Sequence, residues 1–184
     1  MDPHNFCALD IETAGGQWAT FPDGFDLLLT GIRYGDEYFA YTAEPESLAA
    51  MADFLNAFEG VVVTFNGIFF DVPLLELFCT NVLGRELHVA HHYDILAEVK
   101  NKAGRRISLD QLSNFTFGQQ KMPWDHRDNR RVWAEEPQRL IDYNKVDLDL
   151  TAELYQRVLR NEHFFLGTDT ITLPLPTEPG ATAI

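Results

Sequence analysis

Cys7-Ala8-Leu9-Asp10-Ile11-Glu12-Thr13 is an apolar run that ends in two carboxylates separated by one residue. Side chains alternate faces along a strand, so a strand through this stretch projects Asp10 and Glu12 together and turns Ile11 the other way. Two acids on one face repel each other. The first cation in the chain is Arg33, so the natural neutralising partner is a metal ion. Asp-x-Glu is a common tripeptide, and its weight depends on what the rest of the chain offers.

Outward from this run, Ala14-Gly15-Gly16 forms a loop of small residues, and an aromatic-containing segment follows through Trp18 and Phe21 to Pro22-Asp23-Gly24. Residues 26–34 and 37–41 are two β-prone runs joined across Gly35-Asp36 as a hairpin, which makes three neighbouring, mostly antiparallel strands. Residues 45–58 place Leu48, Met51, Ala52, Leu55 and Phe58 at helical spacing, and Gly60 stops the helix. The continuous β-branched run 61–65 is the pattern of a central strand covered on both faces. It ends at Asn66-Gly67, and a helical segment over 71–83 puts Asp71 at a strand-to-helix junction.

Residues 88–95 form a further strand candidate, and Asp94 at its end is either an acid behind the site or a helix cap. His91 and His92 are adjacent and would face opposite ways in a strand, so they do not share an ion. Ser108 is placed to cap a helix that begins Leu109-Asp110-Gln111-Leu112. The polar stretch 124–131 reads as a mobile loop, flanked by Trp124 and Trp133. Residues 136–159 make the clearest helix, with Leu140, Tyr143, Asp147, Leu150, Leu154 and Val158 recurring at three or four residues.

At 184 residues and 46% hydrophobic content the chain suffices for one well-packed domain, expected over 1–167. Residues 168–184 read as a proline-rich tail with an edge strand near 171–173. No apolar run reaches membrane-spanning length, and the amino terminus lacks the basic start and apolar core of a signal peptide. Cys7 and Cys79 lie in apolar segments without metal-site spacing, as reduced core residues do. These features point to an intracellular, cytoplasmic protein with no membrane partner.

A net charge of −14 argues by itself against a general nucleic-acid binder. The uneven distribution of charge along the chain points the other way. Residues 1–99 hold only Arg33 and Arg85, whereas 100–131 holds Lys100, Lys102, Arg105, Arg106, Lys121, Arg127, Arg130 and Arg131, diluted by Asp110, Asp125 and Asp128. An acidic site beside a basic stretch suits a metal-dependent enzyme acting on a polyanion.

Asp10, Glu12, Asp71 and Asp147 thus sit beside apolar structure in three separate places, and Tyr143 precedes Asp147 by one helical turn. An oxygen-only site of this kind suits Mg²⁺ or Mn²⁺ rather than zinc, and a pair of such ions is a known clamp for displacement at phosphorus. Asp10-Ile-Glu12, then Asn66-Gly-Ile-Phe-Phe70-Asp71-Val-Pro73, then Tyr143-Asn-Lys-Val-Asp147 resemble, in order, the three exonuclease motifs of the DEDD superfamily in its tyrosine variant (DEDDy). The second motif is most similar to the proofreading domains of family B DNA polymerases and their stand-alone relatives. The run from Ser108-Leu109 through Leu112 to Phe117-Gly118 and Lys121 resembles the helix those domains carry between the second and third motifs. The resemblance spans roughly residues 6–160.

The resemblance implies an α/β, ribonuclease H-like fold with a central mixed sheet flanked by helices on both faces, and metal-dependent 3′-to-5′ exonucleolytic hydrolysis. Carried over by position, Asp10, Glu12 and Asp147 would hold one ion, Asp10 and Asp71 would serve a second, and Tyr143 would orient the attacking water. Asn66 and Phe70 match substrate-side positions, an amide for a nucleotide and a ring for a base. Thr13 would meet the terminal nucleotide. Lys121, Arg127, Arg130 and Arg131 are the candidates for backbone contacts, which give salt-dependent binding without sequence preference.

The favoured partner is single-stranded nucleic acid, DNA before RNA, with a separate polymerase or repair protein as a further partner class. An RNA exonuclease of the ribonuclease D kind uses the same five residues and stays open. So does a non-catalytic nucleic-acid-binding or recruitment module, which loss of a motif carboxylate would favour. An endonuclease on the same fold is disfavoured by the Tyr-x-x-x-Asp motif.

Overall fold

The computed structural model describes residues 2–119 and 123–176. Five strands form one sheet in the order β3-β2-β1-β4-β5: β1 Phe6–Gly15, β2 Phe25–Tyr34, β3 Glu37–Tyr41, β4 Val61–Thr64 and β5 His92–Asp94. β1, β2 and β3 pair antiparallel, whereas β4 and β5 run parallel to β1. The alternation expected of β1 holds. Cys7, Leu9 and Ile11 enter one core with Leu48, Met51 and Leu55 of α1 (Pro45–Ala57) and Leu74 and Leu75 of α2 (Asp71–Phe78). Ala8 turns to the other face and packs on Leu148 and Ala152 of the long helix α6 (Pro137–Leu159).

β4 is buried on both faces, as its β-branched run requires. Val62 joins the first core, while Val61 and Val63 join a second core with Ile95 and Val99 of α3 (Ile95–Ala103), Leu112 of α4 (Leu109–Phe117) and Leu150 and Leu154 of α6. Two helices therefore cover one face and the remaining helices the other, which is the α/β, ribonuclease H-like layering. Each fully buried Leu or Val contributes roughly 1.5–3 kcal/mol. α4 starts with a complete capping box between Ser108 and Gln111. α6 starts at Pro137, where a missing N–H costs nothing.

Two local expectations are corrected. The stretch 124–131 is no loop: one 3₁₀ turn, His126–Asp128, leads into α5, Asn129–Glu135. The Asp125 carboxylate caps that turn through the Arg127 N–H, and Val132 packs on Ala14, Leu28 and Leu140 with half-buried Trp133 beside it, so two adjacent apolar residues dock a largely polar helix. The strand at 88–95 shrinks to His92–Asp94 because only that part pairs with the short β4. The helical segment expected over 71–83 is present, as α2 followed by a single π-type turn at Cys79–Leu83 that Gly84 closes in the left-handed region.

After α6 the chain forms a hairpin of β6 Phe164–Leu166 and β7 Asp169–Ile171, with Leu173 buried in the second core. The Tyr93 hydroxyl donates to the Pro174 carbonyl at 2.8 Å, which ties the following segment to β5. Both cysteines are buried thiols, and burial pushes Cys7 up to about 12. Among the described residues no helix is long and apolar enough to cross a membrane.

Candidate active site

Three of the predicted acids meet where β1 faces α6. One carboxylate oxygen from each of Asp10, Glu12 and Asp147 lies within 4.8 Å of the others, and among the described residues these form the one group of three that could hold a metal ion. Glu12 and Asp147 are only 3% and 5% exposed, so their charges are largely removed from water. The pairing register shifts after Glu12, a bulge that re-aims the strand end at the site. Two asparagines absent from the expected site hold the acids. Asn144 Nδ2 donates to Asp10 Oδ2 at 2.7 Å, and Asn129 Nδ2 donates to Glu12 Oε2 at 3.1 Å and to the Thr13 carbonyl at 2.9 Å. The Tyr38 hydroxyl fixes the amide orientation of Asn144 by donating to its Oδ1 at 3.1 Å.

Asp71 stands outside this trio but lines the same cleft. The β1–β4 pairing covers only Phe6 to Ala8, so the next part of β1 needs other partners, and Asp71 Oδ1 accepts the Ile11 N–H at 3.1 Å. Burial pushes the Asp71 carboxyl up to about 7; backbone N–H groups pull it down and the Asp94 charge adds to the rise. A nearby cation would reverse that rise.

Tyr143 is buried and hydrogen-bonds Asp147, its neighbour one turn on. Burial and then the charges of Asp147, Glu12 and Asp10 hold the phenol well above its usual range, so it stays protonated. The Trp124 ring stacks on it at 4.4 Å, and Trp124 Nε1 donates to Asn129 Oδ1 at 2.7 Å. One chain of contacts thus runs from Tyr143 through Trp124 and Asn129 to Glu12.

A cleft of about 1010 Å³, at the upper limit of small-ligand pockets, is lined by Asp10, Glu12, Asp71, Asn129 and Asp147. Thr13, Asn66 and Phe70 all line it. Phe70 belongs to an aromatic wall with Trp18, Phe21 and Phe25 at ring distances of 5.1–5.5 Å, and Trp18 is 65% exposed. Asp94 caps α3 through the Ala97 N–H and also accepts the Asn66 and Ile68 N–H groups, so it shapes the loop that carries Asn66. Thr64 Oγ1 lies 2.8 Å from His92 Nε2, and neither His91 nor His92 belongs to the acid group.

The predicted cations behave differently from one another. Arg127 lines the cleft with its guanidinium held by Asp125. Arg130 pairs with Asp26, and Arg131 with Asp128 and Glu135. Lys121 lies outside the described residues. Arg106, by contrast, lines the cleft beside Asn66.

A buried, all-carboxylate donor set fits a hard divalent cation, because the like charges gathered there are stabilised by an ion that accepts oxygen ligands. No protein-family model matches the sequence, and no curated protein does. Among solved structures, the family B DNA polymerase from the hyperthermophilic archaeon Pyrobaculum calidifontis is similar to this chain, with a TM-score of 0.67 and 18% sequence identity. The match covers 84% of this chain and 24% of the polymerase, so the chain spans about a quarter of that protein's length. The likeness is one of fold, and it coincides with a clustered acidic trio.

Proposed function

We propose that this chain is a metal-dependent 3′-to-5′ exonuclease of the tyrosine DEDD kind, acting on single-stranded nucleic acid, DNA in preference to RNA. The observation that carries the reading is the convergence of Asp10, Glu12 and Asp147 within 4.8 Å beside a phenol bonded to Asp147. Asp10, Glu12 and Asp147, with Asp71 in the same cleft, would hold two divalent ions, Mg²⁺ or Mn²⁺. When bound, such ions supply the positive charge that acidifies the attacking water and stabilises the departing 3′-oxygen.

The remaining work falls to the chain's own groups. Tyr143 stays protonated and donates its O–H in a hydrogen bond to Asp147, so its Oη is left to accept a hydrogen bond from the attacking water and aim it at phosphorus. Asn144 and Asn129 fix the rotamers of Asp10 and Glu12, a preorganisation that removes a reorganisation cost at the moment of reaction. Water adds to the last phosphodiester, the bond from phosphorus to the 3′-oxygen breaks, and a 5′-mononucleotide leaves with a shortened strand that ends in a 3′-hydroxyl. The aromatic wall around Phe70 offers a stacking face to an unpaired base.

Digestion of matched 5′-labelled single-stranded DNA and RNA, with Mg²⁺, Mn²⁺ or EDTA, tests the reading. The expected result is a ladder that shortens from the 3′ end, needs metal, and falls by about 10²–10³-fold or more in Asp10→Ala and Asp147→Ala. Faster loss of the RNA would transfer the activity to RNA. No cleavage of either strand with any metal would reject the enzyme in favour of a binding module.

A further inference from the structure

Every described arginine but one has a carboxylate within ion-pair distance: Arg33, Arg85, Arg105, Arg127, Arg130, Arg131, Arg139, Arg157 and Arg160. Arg106 is the exception among the described residues. It is exposed, it lines the cleft that holds the acid trio, and its Nη2 donates to Asn66 Oδ1 at 3.0 Å. Asn66 is itself rigidly held. Its backbone occupies the left-handed region at φ 78°, its N–H donates to Asp94 Oδ1 at 3.0 Å, and the Ile68 N–H donates to Asp94 Oδ2 at 2.9 Å. The amide therefore anchors one edge of the guanidinium, whose other N–H donors are available to the cleft.

In a chain of net charge −14, a solvent-facing arginine on the wall of an acidic cleft, with no carboxylate of its own, is a receptor for an external anion. The acid trio and its ions would serve the phosphate that is cut. A cation on a different wall serves a different phosphate. We propose that Arg106, oriented by Asn66, binds a phosphodiester of the substrate other than the one hydrolysed, so that the substrate is a strand carrying at least one further phosphate. The assignment rests on reading the cleft as a nuclease site. It places the principal backbone contact at Arg106 rather than at Arg127, Arg130 and Arg131, whose guanidinium groups are already engaged by acids.

The test is equilibrium binding of fluorescein-labelled single-stranded oligothymidylate by anisotropy across a salt series, with Ca²⁺ replacing Mg²⁺ to hold back hydrolysis. Arg106→Gln should weaken binding about tenfold or more, and the slope of log K against log salt should fall in size by about 0.7, the value for one lost phosphate contact on a single strand. Arg106→Lys should restore the slope and only part of the affinity, since an ammonium keeps the charge but not the planar fork. Arg160→Gln, at a guanidinium paired with Glu162 and away from the cleft lining, serves as the control and should leave the slope almost unchanged. An unchanged slope in Arg106→Gln, or no binding by the unaltered protein, would overturn the assignment. Binding through Arg106 without hydrolysis in Mg²⁺ or Mn²⁺ would instead sink the nuclease reading and leave the phosphate site standing.

Discussion

Asp71 shows what it costs to take an acid out of water. Its folded pKa of about 7 lies above the ordinary value of 3.8, so the folded state favours the protonated form. The stability linked to that proton is fully present below about pH 4 and is lost as pH rises through about 7. In EDTA, Asp71→Asn should therefore unfold at a higher temperature than the unaltered protein at pH 8, by about 2–4 °C per kcal/mol recovered, and show no such gain near pH 4. The amide keeps the oxygen that accepts the Ile11 N–H, so the comparison isolates charge. Thermal melts at the two pH values decide it. At this scale the sequence makes Asp71 legible as a site candidate, from its place between a buried run and a helix, but not its hydrogen bond to β1.

At the scale of elements, the site depends on how closely α6 lies on the sheet. Gly31 of β2 pairs with Asp10, and a Cβ there would collide with Asn144 Oδ1 and come within 2.8 Å of Leu148 Cδ1. The glycine is thus a contact point for α6, and it also leaves room for the amide that holds Asp10. Gly31→Ala should cost about 1–3 kcal/mol in urea unfolding, the usual penalty for overpacking. It should also weaken Mn²⁺ binding, measured by calorimetry, because Asn144 must release Asp10 to make space. Loss of stability with unchanged Mn²⁺ affinity would show that Asn144 is not a positioning residue. α5 is the counterexample in legibility: its polar composition conceals two docking residues, Val132 and Trp133, and one buried amide, Asn129.

Across the whole molecule, the net charge of −14 makes the metal-free fold repel itself, most strongly where the acids are buried together. Salt shortens the reach of that repulsion to about 8 Å at physiological strength. The metal-free protein should accordingly melt at a higher temperature as NaCl rises from about 0.05 to 0.5 M, while binding of an oligonucleotide weakens over the same range. Millimolar Mn²⁺ should raise the melting temperature further at fixed ionic strength, and Asp147→Ala should lose most of that increment. Scanning calorimetry of both proteins, with and without metal, measures the two melting effects, and the anisotropy salt series measures the third.

The chain by itself determined β1 to β5 and the helices α1, α2, α4 and α6 in their order, the common face of Asp10 and Glu12, and the helical turn joining Tyr143 to Asp147. These follow from periods of two and 3.6, which are local stereochemistry. Only the tertiary structure decided that Asn129 would reach Glu12 across 117 residues and Asn144 reach Asp10 across 134. It also decided that most arginines of the basic stretch would be engaged by acids while Arg106 faces the cleft. Such contacts leave no periodic trace, because they are set by how whole helices pack on the sheet and by which side chains that packing happens to bring within hydrogen-bond reach.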